Sequence, residues 1–315
     1  MKTTERILVI KLSAFGDFIL AMGPFAAIRE HHPKAHITLL TTKSFRGIAE
    51  KSGLFDDIWL DTKPRIWQLS KLCKLRNRLY RGKFDRVYDL QTSDRSSLYF
   101  QLLRLGFLGK KVPEWSGIAR GCSHPHANPS RDHMHTVDRQ QEQLAMAGIK
   151  KTPLADLSFL KQSLKGFDLK KSYVLLVPGG AAHRPEKRWP AESYGQLCDW
   201  LIKKGYQPVV VGTPTEQKVT QAIVNQDNRI LDLTGKTSLE DLVSLGAGSS
   251  GTIGNDSGPT HVFALSGSPT VTLFSRASDP KLCAPHGPKT TYIREDFLKN
   301  LSTEKVSKTF QELIK

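Results

Sequence analysis

Short apolar runs alternate with longer amphipathic stretches through the first half of the chain. The runs RILVIKL, HITLLT, DDIWLD and DRVYDL predict buried strands, and helical periodicity follows them over residues 18–31, 44–51, 66–81 and 95–105. Strands of this kind, separated by segments of helix length, are typical of a parallel sheet covered on both faces. The pattern predicts a doubly wound α/β domain.

The same alternation returns in the second half, after a stretch in which it weakens. Residues 113–138 include GCSHPHANPSRDHMH, whose Pro, His, Ser and Asn content predicts a loop, and a helix is predicted over residues 136–147. We place a linker within residues 148–170. Beyond it, SYVLLV, QPVVVG, RILDLTG, GTIGND and PTVTLF predict strands, with helices between them and a last helix over residues 303–315.

The alternation indicates two Rossmann-like α/β domains, residues 1–160 and residues 161–315, with the C-terminal helix able to pack back on the first domain. Open α/β sheets bind ligands at the carboxyl ends of their strands. We therefore expect the two domains to face a central cleft and to bind their ligands there.

The composition is that of a globular protein. Of the 315 residues 39% are hydrophobic, and no apolar run approaches the ~20 residues needed to span a bilayer. The start, MKTTERILVIKL, passes straight into a strand and does not have the layout of a signal peptide. The four cysteines lie far apart and form no CxxC pair, which disfavours structural zinc and disulfides. We expect a cytoplasmic protein.

The net charge of +16 predicts an attraction to polyanions, which include nucleic acid, an anionic membrane surface and phosphorylated substrates. The charge is uneven, since residues 61–111 hold six Lys and seven Arg against four Asp and no Glu. A solvated basic face would also account for this segment.

The segment KLSAFGDFILAMGP places a small polar loop and then Asp17 directly after the first strand. Asp17 thus lies at the ligand edge of the sheet, in the first turn of a helix. The helix dipole alone favours an Asp at such a position. It does not explain why Ser13 and Gly16 accompany it.

The segment VPGGAAHRPEKRWP joins a Gly-Gly turn to a basic loop that holds Arg184, Lys187 and Arg188. Glycines and cations after a strand suit a phosphate, although the spacing is neither that of a Walker A loop nor GxGxxG. Further on, VGTPTEQK puts Glu216 in the first turn of a helix. There its carboxylate could accept from a ribose or base, or simply complement the helix dipole.

The segment GNDSGPTHVFALSGSP starts a helix immediately after a strand. A helix that begins at Ser257, Gly258 and Pro259 presents free N–H groups and the positive end of its dipole, which favours an anion. Asp256 would repel phosphate, so we expect its carboxylate to receive sugar hydroxyl groups. His261, one turn into the helix, is either a packing residue or a ligand contact.

Four histidines form two His-x-His pairs in the predicted loop, His124 with His126 and His133 with His135. Such pairs can chelate a metal, but no Cys or Glu completes a recognisable ligand set. We predict no metal site.

Together and in this order, the motifs resemble glycosyltransferase family nine, the ADP-heptose:lipopolysaccharide heptosyltransferases. The resemblance covers nearly the whole chain and rests on KLSAFGDFILAMGP, HTVDRQ, EKRWP and NDSGPTHVFALSGSPTVTLF. It implies a GT-B fold with an acceptor-binding first domain and a nucleotide-sugar-binding second domain. It also implies inverting transfer that needs neither a cofactor nor a catalytic metal.

The resemblance further implies roles for single residues. Asp17 matches the general base and Lys187 the catalytic residue on the donor diphosphate, while Glu216 matches a nucleotide contact. The implied donor-binding residues are Gly179, Gly180, Ala182, His183, Lys187, Glu216, Asp256, Ser257, Gly258, Pro259 and His261. We assign Ser13, Gly16, Arg76 and Arg78 to the acceptor. The chain departs from the family at Ala181, Ala182 and His183, where Thr or Ser is frequent.

The basic segment IWQLSKLCKLRNRLYRGK predicts an amphipathic helix on the acceptor domain. Its apolar positions are Ile66, Leu69, Leu72, Cys73 and Leu79, with Lys and Arg among them. Such a helix fits a phosphorylated glycolipid acceptor at an anionic membrane surface, here the cytoplasmic face of the inner membrane.

We therefore expect a monomeric glycosyltransferase that moves a heptose-type sugar from an ADP-sugar to a lipopolysaccharide core. The alternatives are a GT-B enzyme with another donor, a sugar-nucleotide epimerase, a non-catalytic sensor, and a basic nucleic-acid-binding protein. Against the last, no nucleic-acid-binding module is recognisable and aromatic residues are not interleaved with the basic run, so we expect no nucleic-acid partner.

Overall fold

The computed structural model describes residues 4–106, 112–181 and 183–315. The chain forms two compact units, a first that ends at Ala155 and a second that begins at Asp156. Each unit is built on a six-stranded sheet in which all paired strands are parallel. The predicted doubly wound α/β fold is confirmed.

The sheet of the first unit has the strand order β3-β2-β1-β4-β5-β6. Its strands are β1 (Arg6–Ile10), β2 (His36–Thr41), β3 (Asp57–Leu60), β4 (Arg86–Asp89), β5 (Glu114–Gly117) and β6 (His124–Pro125). Its helices are α1 (Phe15–Leu20), α2 (Met22–His31), α3 (Arg46–Ser52), α4 (Leu69–Arg81), α5 (Asp94–Gly106) and α6 (Thr136–Met146). The central strand β1 is apolar because helices cover the sheet, and its residues Ile7 to Ile10 are fully buried.

The second unit repeats this order as β12-β11-β10-β7-β8-β9. Its strands are β7 (Tyr173–Val177), β8 (Gln207–Val210), β9 (Leu231–Asp232), β10 (Gly251–Asn255), β11 (Thr270–Phe274) and β12 (Thr290–Arg294). Its helices are α7 (Ala191–Lys203), α8 (Gln217–Val224), α9 (Leu239–Gly248), α10 (Gly258–Leu265), α11 (Pro280–Cys283) and α12 (Thr303–Ile314). The C-terminal helix α12 packs against α7 and β11, and its Val306 and Phe310 are buried in the core of this unit.

The helix predicted over residues 18–31 is two helices, since α1 ends at Leu20 and α2 begins at Met22. Pro24 explains the break. In one continuous helix the Pro24 ring would clash with the carbonyl of Leu20, whereas in the first turn of α2 the missing N–H costs nothing.

The prediction of a helix over residues 66–81 was wrong at its start, because α4 begins only at Leu69. Residues 65–68 form a turn in which the Gln68 N–H donates to the Arg65 carbonyl at 2.8 Å. The side chains of α4 that enter the core are Leu72, Leu75 and Leu79, whereas Cys73 is exposed.

Three strands were missed. The loop predicted over residues 113–138 contains β5 and β6, and the last strand of the chain, β12, was not predicted. Strand β6 is only two residues long, and β12 is an edge strand of polar sequence, TTYIR. Neither has the continuous apolar run of a central strand. No helix within the described ranges is long and apolar enough to cross a bilayer.

Candidate functional site

Each sheet reverses its strand order at one point, between β1 and β4 in the first unit and between β7 and β10 in the second. At such a point the connections leave in opposite directions, and a crevice opens at the carboxyl ends of the two strands. The segments KLSAFGDFILAMGP, VPGGAAHRPEKRWP and GNDSGPTHVFALSGSP follow strands at these points, and VGTPTEQK follows the adjacent strand β8, whereas HTVDRQ starts α6 after the edge strand β6.

In the second unit, Asn255 at the end of β10 joins the loops that form the crevice. Its side-chain Nδ2 donates to the carbonyls of Pro178 at 2.8 Å and Gly179 at 3.2 Å. Its Oδ1 accepts from the backbone N–H of Trp189 at 3.1 Å and from the Tyr194 hydroxyl at 3.2 Å. Asn255 is fully buried, so these bonds hold the Gly-Gly turn and the basic loop against the end of β10.

Lys187 and Asp256 form an ion pair in this crevice, with 2.5 Å between Nζ and Oδ2. Lys187 ends a short 3₁₀ helix, Pro185–Lys187, and Asp256 follows β10. The side chains are 12% and 8% exposed, so the charges are mostly shielded from water and the attraction between them is strong. The sequence predicted both residues for the donor, and the structure places them in direct contact.

The neighbouring Arg188 and Trp189 fix the rest of the EKRWP segment. Arg188 donates from its guanidinium to the carbonyl of Gly180 at 2.7 Å. Trp189 is buried, and its indole N–H donates to the carbonyl of Leu301 at 3.0 Å. Because the Trp189 ring also packs edge-on against Tyr194, the segment that carries Lys187 is anchored in the core.

Glu216 ties the Gly-Gly turn to the loop after β8. Its Oε1 accepts from the Gly180 N–H at 2.8 Å, and its Oε2 accepts from the Thr213 N–H at 2.8 Å and hydroxyl at 2.9 Å. Gly179 lies so close that a Cβ at this position would stand 1.8 Å from Glu216 Oε1. Glu216, predicted as a nucleotide contact, thus uses both carboxylate oxygens to position the turn.

Helix α10 begins at the same edge of the sheet. Ser257 is its N-cap residue and Gly258 and Pro259 are its first two residues. The Ser257 hydroxyl lies 3.2 Å from that of Thr260 and, in the described chain, makes no capping bond to a helix N–H. The positive end of α10 therefore opens beside Asp256. His261 is 6% exposed.

Two predicted donor residues follow the Gly-Gly turn. His183 is exposed in a turn before the 3₁₀ helix that carries Lys187. Ala182 lies outside the described residues.

In the first unit, Gln91 connects the ends of β1 and β4. Its Oε1 accepts from the backbone N–H groups of Leu12 at 2.7 Å and Ser13 at 3.0 Å. This arrangement directs the chain into α1, where Gly16 and Asp17 form the first turn. The Asp17 Oδ2 accepts from the Ala14 N–H at 3.3 Å, which orients the carboxylate at the helix start.

Asp17 lines a polar cavity of about 260 Å³ at this crevice. Three cations line it with Asp17, namely Lys11, Arg131 and Arg139. Arg139 is the arginine of the HTVDRQ segment, one helical turn after His135, whose Nδ1 accepts from the Val137 N–H and caps α6. A second carboxylate, Asp132, also lines the cavity and pairs with Arg131 at 2.8 Å. Three cations thus face two carboxylates and leave an excess of positive charge that suits an anionic ligand.

Burial lowers the pKa of Lys11, and the positive charge of Arg139 lowers it further, while Asp17 and Asp89 oppose the shift. Its Nζ donates to the Leu90 carbonyl at 3.1 Å. Burial also lowers the pKa of Arg131, with a contribution from Arg139. Burial is the main cause of both shifts, and an anion bound in the cavity would oppose them.

Asp89 lies at the end of β4 and is fully buried. Its Oδ1 accepts from the N–H groups of Gln91 at 3.1 Å and Thr92 at 3.0 Å. Burial raises its pKa to about 6, although these hydrogen bonds and Lys11 favour the charged form.

The two arginines assigned to the acceptor lie elsewhere, on α4. The guanidinium of Arg78 stacks over the Trp59 ring at 4.4 Å, and Arg76 is half-buried. Neither is among the residues that line the cavity of Asp17. The structure therefore places Ser13, Gly16 and Asp17 together and Arg76 and Arg78 apart from them.

The histidine-rich segment is not arranged around a metal. Within the described ranges no three His, Cys, Asp or Glu side chains form a group that could hold a metal ion. His126 is buried, its Nε2 lies 3.5 Å from Glu142, and burial lowers its pKa.

Sequence reasoning missed Lys11, Gln91, Arg131, Arg139 and Asn255 as site residues. A signal existed for four of them, because Lys11, Gln91 and Asn255 lie at or just beyond the ends of the strands at the reversal points, and Arg139 belongs to the HTVDRQ segment. Arg131 had no such signal, since it belongs to the segment predicted as loop.

Comparisons with known proteins agree with this fold. The structure of the glycosyl transferase family 9 from Veillonella parvula DSM 2008 is similar, with a TM-score of 0.82 and 24% identity over 98% of this chain and 97% of its own. The E. coli ADP-heptose lps heptosyltransferase II structure has a TM-score of 0.77 and 23% identity over 98% of each chain. The fold is that of the GT-B glycosyltransferases.

Sequence comparison identifies the family. The model of glycosyltransferase family 9 (heptosyltransferase) matches residues 72–313, so the chain belongs to this family. It is also similar to a lipopolysaccharide heptosyltransferase 2 from Escherichia coli strain K12, with 26% identity over 92% of this chain and 88% of that protein. The protein is a glycosyltransferase, as the resemblance of its motifs predicted.

Proposed function

We propose that this protein transfers a heptose from an ADP-heptose donor to the core of a lipopolysaccharide or a related glycolipid. The observation that carries the proposal is the cavity in which Asp17 lies beside Lys11, Arg131 and Arg139. A phosphate or carboxylate of a charged saccharide suits the three cations, and the saccharide would then present a hydroxyl to Asp17. The names of the similar E. coli proteins supply the sugar and the acceptor class.

Asp17 acts as the general base in this proposal. Its carboxylate takes the proton of the acceptor hydroxyl as that oxygen forms a bond to the anomeric carbon of the donor sugar. The bond from that carbon to the diphosphate breaks, and its electron pair leaves with the nucleotide. A single displacement from the opposite face inverts the anomeric configuration.

The second unit stabilises the leaving diphosphate. Lys187 and the N–H groups at the start of α10 lie at the same edge of the sheet, and both stabilise a negatively charged group. We propose that they replace a divalent cation in this role. Asp256 has acceptor capacity beyond the bond to Lys187 and receives the hydroxyl groups of the donor sugar. Glu216 acts on the nucleotide through the turn that it holds.

We place the reaction at the cytoplasmic face of the inner membrane, where a monomer of this protein meets its lipid-linked acceptor. The support is α4, whose last turn carries Arg78 and Arg81 and whose exposed face is basic. Basic residues near an anionic membrane surface are attracted to it.

The test is a calorimetric titration with ADP, UDP and GDP, followed by transfer assays with ADP-heptose and a lipid-free core saccharide. We expect selective ADP binding, a product with inverted anomeric configuration by NMR, and equal turnover with and without a chelator. Preferred binding of UDP or GDP would redirect the proposal to another donor. A retained configuration or a loss of turnover in the chelator would overturn the mechanism.

A further inference from the structure

Three apolar side chains stand together at the start of α4 and point into solvent. Ile66, Trp67 and Leu69 are 69%, 67% and 69% exposed, more than any other large hydrophobic residue in the described part of the chain. We call them the apolar wedge. Single exposed apolar residues are normal, but three within four positions require an explanation.

The core does not account for the wedge. Helix α4 packs on the first unit through Leu72, Leu75 and Leu79, which lie on one face because they are three or four residues apart. The wedge lies before this face, on the turn at residues 65–68 and the first residue of the helix. The Arg65 guanidinium stacks on the Trp67 ring at 5.1 Å. The wedge is thus held in place by a defined turn.

The chain segment that carries the wedge has charges of one sign. Residues 62–84 contain eight Lys and Arg and no Asp or Glu. Lys71, Lys74, Arg78 and Arg81 are exposed along α4. Lys74 and Arg78 line two open grooves of about 400 Å³ and 300 Å³. Arg6 and Arg81 also line the larger groove, whereas Asp61 lines the smaller one. The larger groove has the size and charge to accommodate a phosphate head group.

We propose that the apolar wedge inserts into the interfacial region of an anionic lipid bilayer while the basic residues of α4 bind its head groups. Trp is favoured at the membrane interface, and apolar side chains beside a basic helical face are the features of an interfacial anchor. The inference specifies which residues of the proposed enzyme contact the membrane. It rests on the proposed function only for the identity of the acceptor.

Two other occupants fit less well. A second copy of the chain, docked through the same face by a two-fold axis, would bring two sets of basic side chains together. A nucleic acid would satisfy the cations, but Ile66 and Leu69 would remain in water because phosphate backbones offer no apolar surface.

The experiment measures binding of the full chain to vesicles by sedimentation. One vesicle type is phosphatidylcholine alone, and the other is phosphatidylcholine mixed with phosphatidylglycerol. We expect binding to the mixed vesicles only, weakened by salt. Adding mixed vesicles should shift the fluorescence of wild type to the blue, and brominated lipids should quench it. The blue shift and the quenching should both be absent in Trp67→Phe, because the fluorescence difference between wild type and this variant comes from Trp67.

Matched variants distinguish the contribution of the wedge to vesicle binding from that of other exposed apolar residues and of net charge. The triple variant Ile66→Ser/Trp67→Ser/Leu69→Ser should bind at least about tenfold more weakly, because transferring even one such side chain from water is worth more than this factor. Leu69→Ser should weaken binding and Leu154→Ser, at an exposed apolar residue elsewhere, should not.

Lys74→Glu/Arg81→Glu should weaken binding at least about 30-fold, since each cation near an anionic surface contributes about 1 kcal/mol. Lys170→Glu/Lys171→Glu changes the net charge equally and should have little effect.

The inference is overturned if the triple variant binds vesicles as tightly as wild type, or if both charge reversals weaken binding equally. It is also overturned if wild type is a dimer and the triple variant is a monomer, because a second copy of the chain then covers the wedge. Turnover of a lipid-free acceptor distinguishes this failure from that of the proposed function. Turnover should survive in the triple variant. If wild type shows no turnover but still binds vesicles, the proposed function is wrong and the membrane anchor stands.

Discussion

Lys187 and Asp256 are 69 residues apart in the chain and 2.5 Å apart in the structure. The pair joins the loop after β7 to the end of β10, the two strands between which the sheet reverses its order. In the proposed reaction, the donor phosphate must therefore compete with Asp256 for Lys187 or share it. The ion pair holds Lys187 in a defined position in the absence of a donor.

Lys187→Ala should lower the stability of the protein by up to about 3 kcal/mol, because it leaves Asp256 largely buried without its partner. The double variant Lys187→Ala/Asp256→Asn should recover part of this loss, since the uncompensated charge is gone. Urea unfolding of both single variants and the double variant measures the coupling, which we expect at about 1–3 kcal/mol. Purely additive effects would show that the pair contributes nothing.

Asp17→Asn should reduce kcat by about 10²–10⁴-fold, because the amide cannot accept the proton of the acceptor hydroxyl. Nucleotide affinity, measured by calorimetry, should stay unchanged. Asp94→Asn is the matched control, since Asp94 also lies in the first turn of a helix and is exposed. Turnover close to wild type in Asp17→Asn would exclude Asp17 as the base.

Gly179→Ala should displace Glu216, because the added Cβ would stand 1.8 Å from Glu216 Oε1. We expect a loss of about 1–3 kcal/mol in stability, the usual cost of overpacking, and weaker nucleotide binding. Gly180→Ala is the control, because the nearest atom to its Cβ, Arg188 Cγ, is 3.7 Å away. The two variants should differ in unfolding temperature and in nucleotide affinity measured by calorimetry. Equal values would argue against the close approach of Gly179 to Glu216.

Asn255→Asp should destabilise the second unit by at least about 3 kcal/mol. The new carboxylate oxygen would face the carbonyls of Pro178 and Gly179, to which the amide now donates, in a fully buried position. Asn228→Asp makes the same chemical change at an exposed position and should be near neutral. Denaturant unfolding followed by tryptophan fluorescence reports the difference, and a small effect at Asn255 would contradict its joining role.

Asp89 predicts a pH dependence of stability. Its pKa is about 6 in the folded protein against an ordinary value of 3.8, so between about pH 4 and pH 6 the folded state binds more protons than the unfolded chain. The free energy of unfolding should therefore fall as pH rises through this window, by up to about 3 kcal/mol from this residue.

Asp89→Asn removes the ionisation while it keeps an oxygen for the N–H groups of Gln91 and Thr92. The stability of the variant relative to wild type should rise between about pH 4 and pH 6 and be constant above it. Urea unfolding across this pH range measures the effect, and Asp138→Asn, at an exposed carboxylate, should show none of it. A constant difference at Asp89 would mean that the carboxylate ionises normally.

The sequence by itself determined the architecture and much of the site. The strands β1, β2, β7, β8, β10 and β11 were predictable because both faces of a central parallel strand are buried, which demands a continuous apolar run. The same periodicity predicted that Asp17, Lys187 and Asp256 lie in segments that follow strands, and the carboxyl ends of parallel strands share one edge of a sheet.

Only the tertiary structure decided which of these groups meet. The pairing of Lys187 with Asp256, the bonds of Glu216 to the Gly-Gly turn, and the cavity of Lys11, Arg131 and Arg139 join residues distant in the chain. The start of α4 was likewise decided by packing, which leaves Ile66 and Leu69 in solvent. The physical reason is that periodicity records which face of an element avoids water, whereas the partner of a polar side chain depends on three-dimensional distance.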